Sequence, residues 1–155
     1  MKRALFALLL LGAACGEPAK QNRAHLYVSG LQDILSWDAQ KGGRGQDVVE
    51  VLLNLEPGDS VPSLLAAMMD PTPTRIDDRI HRVPTVGDVA FHLLLLIFSM
   101  SPPEFEDEGV WVGTDPIRNP IYNVHLDSDT VRQRVRFRFL AIAQERGWVE
   151  KPDKK

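Results

Sequence analysis

The chain has 155 residues, of which 44% are hydrophobic and 25% charged, so it is long enough for one domain and too apolar for wholesale disorder. Its formal net charge of −3 argues against a general nucleic-acid binder, because such proteins neutralise phosphates with an excess of Lys and Arg. Its single cysteine excludes an intrachain disulfide.

The amino-terminal segment has the pattern of a secretory signal. Lys2 and Arg3 precede the apolar run 4–14, which ends in small residues. This run is shorter than the roughly 20 residues that a membrane-spanning helix needs. The pattern therefore predicts a cleaved signal peptide over residues 1–14.

The segment Leu11–Cys15, with the sequence LGAAC, resembles the lipobox of bacterial lipoproteins, although the family usually has Leu where this chain has Gly12. The resemblance implies that Cys15 takes a diacylglycerol on its sulfur and that a signal peptidase cuts just before it. Several acyl chains, palmitate among them, then anchor the protein to a membrane of the cell envelope. Residues 15–23 would be the lipidated end and a polar tether. In this family Gly16 permits sorting to the outer membrane, so the domain is expected to face the periplasm or the exterior.

A single helical domain is predicted over residues 24–150, with a polar tail at 151–155. Within it, the segment 25–29 is interpreted as a strand or a first turn, and the glycine-rich segment 41–45 as a flexible break. Hydrophobic spacing predicts five helices, which are, in chain order, 30–39, 47–55, 61–69, 85–98 and 130–146.

The third predicted helix follows a turn at 56–59. Ser60 is expected to cap it and Pro62 to occupy its first turn, where the missing N–H costs nothing. In the fourth helix, Thr85 and Asp88 have the spacing of a capping box, and residues 89–98 are apolar on almost every side. A helix of this kind is normally the central helix of the core.

The last predicted helix is ambiguous. Residues 131–139 alternate between apolar and polar, which is typical of a strand. Val131, Val135, Phe139 and Ile142 also fall within about 80° on a helical wheel. A helix is favoured, because a strand would need a turn near Leu140 and none is present. Gly147 is in the usual stop position, and Trp148 is expected to fold back onto the last turn.

Two segments lack helical periodicity. Residues 72–84 are predicted to be an extended arm or a hairpin, and residues 101–129 a long irregular loop with strand-like patches at 110–112 and 121–126. The fold class is therefore mainly α, a small helical domain with an extended arm and a long loop that carries short strands.

Two helical segments resemble HEAT-type repeats. Val61–Leu65, followed by Met68–Pro71, is similar to the second helix of such a repeat, and Val86–Ala90 is similar to the first helix of the next. The resemblance implies a HEAT-like helical body with a surface for binding other proteins.

Arg132, Arg134, Arg136 and Arg138 are the most unusual charge feature. On a helix they lie on two flanks, where arginines either pair with nearby acids or recognise anions. The acidic segment 104–108 is the expected intramolecular partner. Because arginines and aromatic residues are typical interface anchors, the predicted partner-binding residues are Arg134, Arg138, Trp111 and Tyr122.

The preferred functional hypothesis is a lipid-anchored module of the cell envelope that binds a protein or cell-wall partner. No motif assigns a catalytic residue, a metal or a cofactor, and His92, inside the apolar helix, is interpreted as a hydrogen-bonded core histidine. The alternative is a small enzyme or a ligand- or metal-binding protein built on the 72–84 arm and the 101–129 loop. Its site residues would be His81, His125, Asp127 and Asp129.

Overall fold

The computed structural model describes residues 24–38, 42–44, 46–76, 83–113, 121 and 124–151. The predicted signal peptide, Cys15 and the tether lie outside these residues. The helices are α1 (Ala24–Val28), α2 (Gln46–Asn54), α3 (Pro57–Ala67), α4 (Val86–Phe98) and α5 (Asp129–Glu145), with 3₁₀ helices at Ser29–Asp33 and Pro102–Glu108. The prediction of a mainly α domain is confirmed.

Short strands form two antiparallel pairs beside the helices. Strand β1 (Ser36–Asp38) pairs with β2 (Gly42–Arg44), and β3 (Trp111–Val112) pairs with β4 (Val124–His125). The predicted strand patch 121–126 is confirmed only at β4, because Ile121 is helical.

Helix α4 is the centre of the core, as its all-round apolar sequence predicts. Its capping box is present: the Asp88 amide donates to Thr85 Oγ1 over 3.2 Å, and the Thr85 amide donates to Asp88 Oδ2 over 2.8 Å. Every residue of the helix is buried except Leu96 and Ile97. Helix α3 makes the most extensive contact with it.

The segment 131–139 is helical and belongs to α5, so the strand interpretation is wrong. Ser128 caps the helix by accepting a 3.2 Å hydrogen bond from the Val131 amide. Val135, Phe139 and Ala143, four residues apart, are completely buried. This spacing is that of a helix face packed on a core.

The end of α5 follows the predicted stop signal. Gly147 has a φ of 72°, in the left-handed region that favours glycine. The Trp148 amide donates to the Ala143 carbonyl over 2.9 Å. The Trp148 ring packs 5.0 Å from the ring of Phe98, so the chain folds back onto the last turn.

The predicted helix 30–39 is wrong. The chain forms α1 and the first 3₁₀ helix, turns to an extended conformation at Ile34, and then enters β1. Leu31 and Ile34 are buried at a spacing of three residues, which suits a 3₁₀ turn as well as an α-helix. The expected flexible break is also corrected, because 42–44 is strand β2, paired with β1.

Helix α3 begins earlier than the sequence suggests. Glu56 is its N-cap and Pro57 occupies the first helical position, so the expected turn at 56–59 is wrong. Proline is favoured there because its missing N–H has no partner in a helix anyway. Pro62 consequently lies inside the helix, and the predicted cap residue Ser60 is buried within it.

The predicted arm is present at its two described ends. The Thr74 amide donates to the Pro84 carbonyl over 2.9 Å, and Pro73 pairs with Thr85 in an isolated antiparallel bridge. In the long loop, the second 3₁₀ helix (Pro102–Glu108) was not predicted. Its Ser101–Glu104 capping box encloses two prolines, which hid the helical pattern.

Candidate functional site

An exposed tryptophan stacks on a buried histidine across the β3–β4 pair. Register places Trp111 opposite His125, and the two rings are nearly parallel, 5° apart in tilt, with centroids separated by 5.6 Å. His125 is 8% exposed, whereas Trp111 is 49% exposed. The imidazole therefore supports an indole that remains open to solvent.

Two side chains of α4 hold this strand pair against the core. Asp88 Oδ1 accepts a hydrogen bond from the Leu126 amide over 3.1 Å. One turn later, the buried imidazole of His92 interacts with the backbone of Val124, which favours its protonated form. These two contacts flank His125, so the central helix supports the ring on which Trp111 stacks.

His92 is buried, which confirms its interpretation as a core histidine. Burial lowers its pKa from 6.5 to about 4, because the core disfavours the charged imidazolium. The carboxylate of Asp88 and the backbone of Val124 raise the pKa of His92, and nearby His125 lowers it further. At neutral pH this imidazole is uncharged.

Arg132 is a structural residue. It is only 3% exposed and donates to the Met68 carbonyl over 3.0 Å and to Thr85 Oγ1 over 3.1 Å. It thus joins α5 to the end of α3 and to the cap of α4. A buried guanidinium is tolerated where such acceptors replace water.

Arg138, predicted as a partner-binding residue, is engaged within the chain. Its Nη1 lies 2.9 Å from Glu108 Oε2 and also donates to the Glu104 carbonyl. Its guanidinium carbon is 4.6 Å from the centroid of the Phe105 ring. The predicted pairing with the acidic segment 104–108 is confirmed, and it fastens the second 3₁₀ helix to α5.

Within that 3₁₀ helix, the backbone amide and the hydroxyl of Ser101 donate to Glu104 over 2.7 and 3.0 Å. These bonds, followed by the charge of Arg138, lower the pKa of Glu104. The carboxylate therefore acts as a cap for the helix.

Arg134 differs from its neighbours because it is exposed and has no ion pair among the described residues. It lies between Val131 and Arg138 on one side of α5. Val131 borders Gly109, where an added Cβ would come within 3.3 Å of it, and Arg138 binds Glu108. Arg134 therefore lies on the side of α5 next to the segment that leads into Trp111.

Phe137 is the feature that sequence reasoning missed. It is 60% exposed and lies three residues after Arg134, which makes the two neighbours on the helix surface. On a helical wheel, position 137 lies about 160° from the centre of the buried face. The helical interpretation itself thus contained the signal, but the alternating pattern grouped Phe137 with the core residues.

Each of the two predicted sets of site residues includes a residue that the structure does not describe. Tyr122 of the preferred set and His81 of the alternative set lie outside the described residues. His125 is buried in the stack, whereas Asp127 and Asp129 are exposed. Among the described residues, no group of three or more His, Cys, Asp or Glu side chains could hold a metal ion.

A cavity of about 370 Å³ lies beside α2, and none of the predicted site residues lines it. In the described part of the chain, no helix is both long and apolar enough to cross a membrane. Comparison with protein-family models, with curated proteins and with solved structures finds no match for this chain.

Proposed function

We propose that this protein is a lipid-anchored module of the cell envelope that binds another macromolecule through Trp111, Arg134 and Phe137, the aromatic–arginine surface. One observation carries the proposal: Trp111 and Phe137 stay exposed on regular elements, and Arg134, one turn before Phe137, has no ion pair among the described residues. Arginine and aromatic residues are the commonest anchors of protein interfaces.

The chemistry of these side chains defines the partner. Arg134 is suited to a carboxylate, which can accept two parallel hydrogen bonds from a guanidinium. Trp111 and Phe137 contribute flat apolar area that loses contact with water on binding. The expected partner is a protein or a cell-wall polymer that presents a carboxylate beside apolar groups.

The other two predicted residues have supporting roles in this proposal. Arg138 positions the 3₁₀ helix that leads to Trp111 through its bond to Glu108. Tyr122, two residues before β4 in the sequence, lies outside the described residues and is kept in the proposal from its residue type alone. The resemblance of 61–71 and 86–90 to HEAT-type repeats agrees with a protein-binding role.

The membrane anchor is proposed from the lipobox, with Cys15 as the lipidated residue. Mass spectrometry of the mature protein should find a diacylglycerol on the Cys15 sulfur and a chain that begins at this residue. Cys15→Ser should leave the full precursor and release the domain from the membrane fraction. An unmodified Cys15 thiol in the mature protein would refute the anchor.

The binding surface can be tested without knowing the partner. A photo-crosslinking amino acid is placed at position 111, 134 or 137 in cells that express the full chain. Matched controls carry it at exposed Leu35 or at Arg75, whose guanidinium pairs with Asp33. One shared cross-linked product from the three surface positions, absent from both controls, would support the proposal; products equal at all five positions would contradict it.

Once the cross-linked partner is purified, Arg134→Ala and Phe137→Ala should each weaken binding about tenfold or more, which corresponds to about 1.4 kcal/mol. Arg134→Lys should recover only part of the loss, because an ammonium cannot form the paired bonds of a guanidinium. Unchanged affinity in both alanine variants would exclude this surface.

A further inference from the structure

Among the described residues, five buried side-chain nitrogen or oxygen atoms have no hydrogen-bond partner, and two of the five belong to neighbouring rings. They are Trp37 Nε1 in β1 and His92 Nε2 in α4. The residues are 8% and 3% exposed, and their ring centroids lie 6.0 Å apart. A buried polar group without a partner destabilises the fold, so two of them on adjacent rings need a physical explanation.

The hydrogen-bonding needs of the two atoms are complementary. Burial keeps the His92 ring neutral, so one of its two nitrogens is a hydrogen-bond acceptor. We assign the proton to Nδ1, which leaves the unpartnered Nε2 as the acceptor. A neutral imidazole with its proton on Nδ1 has an acceptor at Nε2, whereas an indole nitrogen is only a donor.

We propose that Trp37 and His92 form a binding site for one ordered water molecule. The water accepts the Trp37 Nε1 hydrogen and donates a hydrogen to His92 Nε2. A buried water needs at least two polar partners, and this site supplies one of each kind. No covalent or redox step is involved.

The bound water connects two parts of the fold through one imidazole. On one side it fastens the β1–β2 pair, whose strands have only three residues each, to the central helix. On the other side, the same imidazole interacts with the backbone of Val124 in β4, next to the Trp111–His125 stack. This inference goes beyond the proposed binding function and does not depend on it.

Nuclear magnetic resonance of the full chain, labelled with ¹³C and ¹⁵N, tests the site. The chain has three tryptophans, so three indole N–H signals are expected, and Trp37→Phe identifies the one from Trp37. That proton should exchange slowly with solvent and show a cross-peak to a long-lived water. Trp111, at 49% exposure, is the internal control and should exchange rapidly.

His92 supplies the second measurement in the same sample. Its ring nitrogens should report a proton on Nδ1 and a hydrogen-bonded acceptor at Nε2, and Trp37→Phe should shift the Nε2 signal. If that variant does not fold, assignment of the unaltered chain through its ¹³C–¹⁵N connections replaces it.

Three results would overturn the proposal. A scalar coupling between Trp37 Nε1 and His92 Nε2 would mean a direct hydrogen bond with no water. A proton on His92 Nε2 would remove the acceptor. Absence of a water cross-peak to a slowly exchanging Trp37 proton would mean that the space is dry.

Discussion

Helices α4 and α5 pack against each other with opposite patterns of exposure. Helix α4 buries all but Leu96 and Ile97, whereas α5 buries a narrow stripe that includes Phe139 and leaves Phe137 60% exposed. The polar side chains of α4, Asp88 and His92, bind the backbone of the neighbouring β4 region. A helix surrounded by protein must satisfy its polar groups on other elements, while a helix with a solvent side can leave them hydrated.

Three arginines of α5 also differ in how exposed they are, although all three carry the same side chain. Arg132 is buried and bonded to two oxygens, Arg138 is partly buried and paired with Glu108, and Arg134 is exposed. Arg132 lies on the buried face of the helix, whereas Arg134 and Arg138 share another side and lie one turn apart along it. Arg132 and Arg138 are occupied by contacts within the chain, so Arg134 is the one of these three that remains available for a partner.

The largest effect is expected from replacing Phe139, a buried residue of α5. Phe139 is fully buried against the rings of Phe91, Phe98 and Phe105. Phe139→Ala should lower the free energy of unfolding by about 3–5 kcal/mol in urea denaturation, through lost burial and the cavity left behind.

Phe137→Ala is the matched control, and it should change the free energy of unfolding by no more than about 0.5 kcal/mol because the ring is exposed. Equal losses in the two variants would mean that positions 137 and 139 share a buried face, as they would in a strand. That outcome would mean that α4 and α5 do not differ in their patterns of exposure.

Acid should lower the free energy of unfolding through His92, which lies in α4. The pKa of His92 is about 4 in the folded protein, below the 6.5 of the free side chain. Between pH 6.5 and 4 the imidazole is therefore protonated in the unfolded chain but neutral in the folded chain, which favours unfolding. The free energy of unfolding should fall by roughly 1.4 kcal/mol for each pH unit between 6.5 and 4, and this contribution should level off below pH 4.

Urea unfolding at several pH values measures this slope against His92→Gln, which has no imidazole. The difference between the two profiles isolates His92 from the carboxylates that titrate at lower pH. Parallel profiles between pH 6.5 and 4 would show that His92 is protonated equally in the two states.

The junction between the helices can be disturbed at Gly87. A Cβ there would lie 1.9 Å from Arg132 Nη1 and 2.5 Å from the Met68 carbonyl oxygen. Gly87→Ala should therefore cost about 1–3 kcal/mol of stability in thermal or urea unfolding. Gly58→Ala, in α3, is the control: its nearest neighbour would be 3.8 Å away, and alanine should stabilise that helix by up to about 1 kcal/mol. A neutral Gly87→Ala would contradict the close packing of Arg132 on α4.

The smallest effect is expected at the start of α5. Ser128→Ala removes the acceptor of the Val131 amide and should cost about 1 kcal/mol. Thr130→Ala, exposed in the first turn, should change stability by less than about 0.5 kcal/mol. Equal stabilities for the two variants would mean that the cap contributes nothing to α5.

Local signals predicted α2, α4 and α5 well, because capping residues and hydrophobic spacing act within one helix. The same signals failed at 30–39 and at the start of α3. In the first case, spacing by three residues fits both an α-helix and a 3₁₀ turn followed by a strand. In the second, Pro57 and Pro62 are both acceptable near a helix start, and only the packing of the helix selects the earlier one.

The candidate site was less predictable than the fold. Trp111 could be named from its residue type, but its stack on His125 depends on the register of two strands that are distant in the chain. Arg138 was predicted to be a partner-binding residue, yet within the chain it pairs with Glu108 and packs on the ring of Phe105. Exposure of Phe137 follows from the helical wheel once the segment is known to be a helix.

Short stretches of the chain specify the mainly helical class, the central place and the cap of α4, and the end of α5 at Gly147. Each of these depends on residues a few positions apart, whose relative geometry the backbone fixes. Contacts between distant parts of the chain determine which arginine stays in water, which histidine stacks on Trp111 and which aromatic ring remains exposed. Those outcomes depend on atoms that only folding brings together, since burial is a property of the whole packed chain.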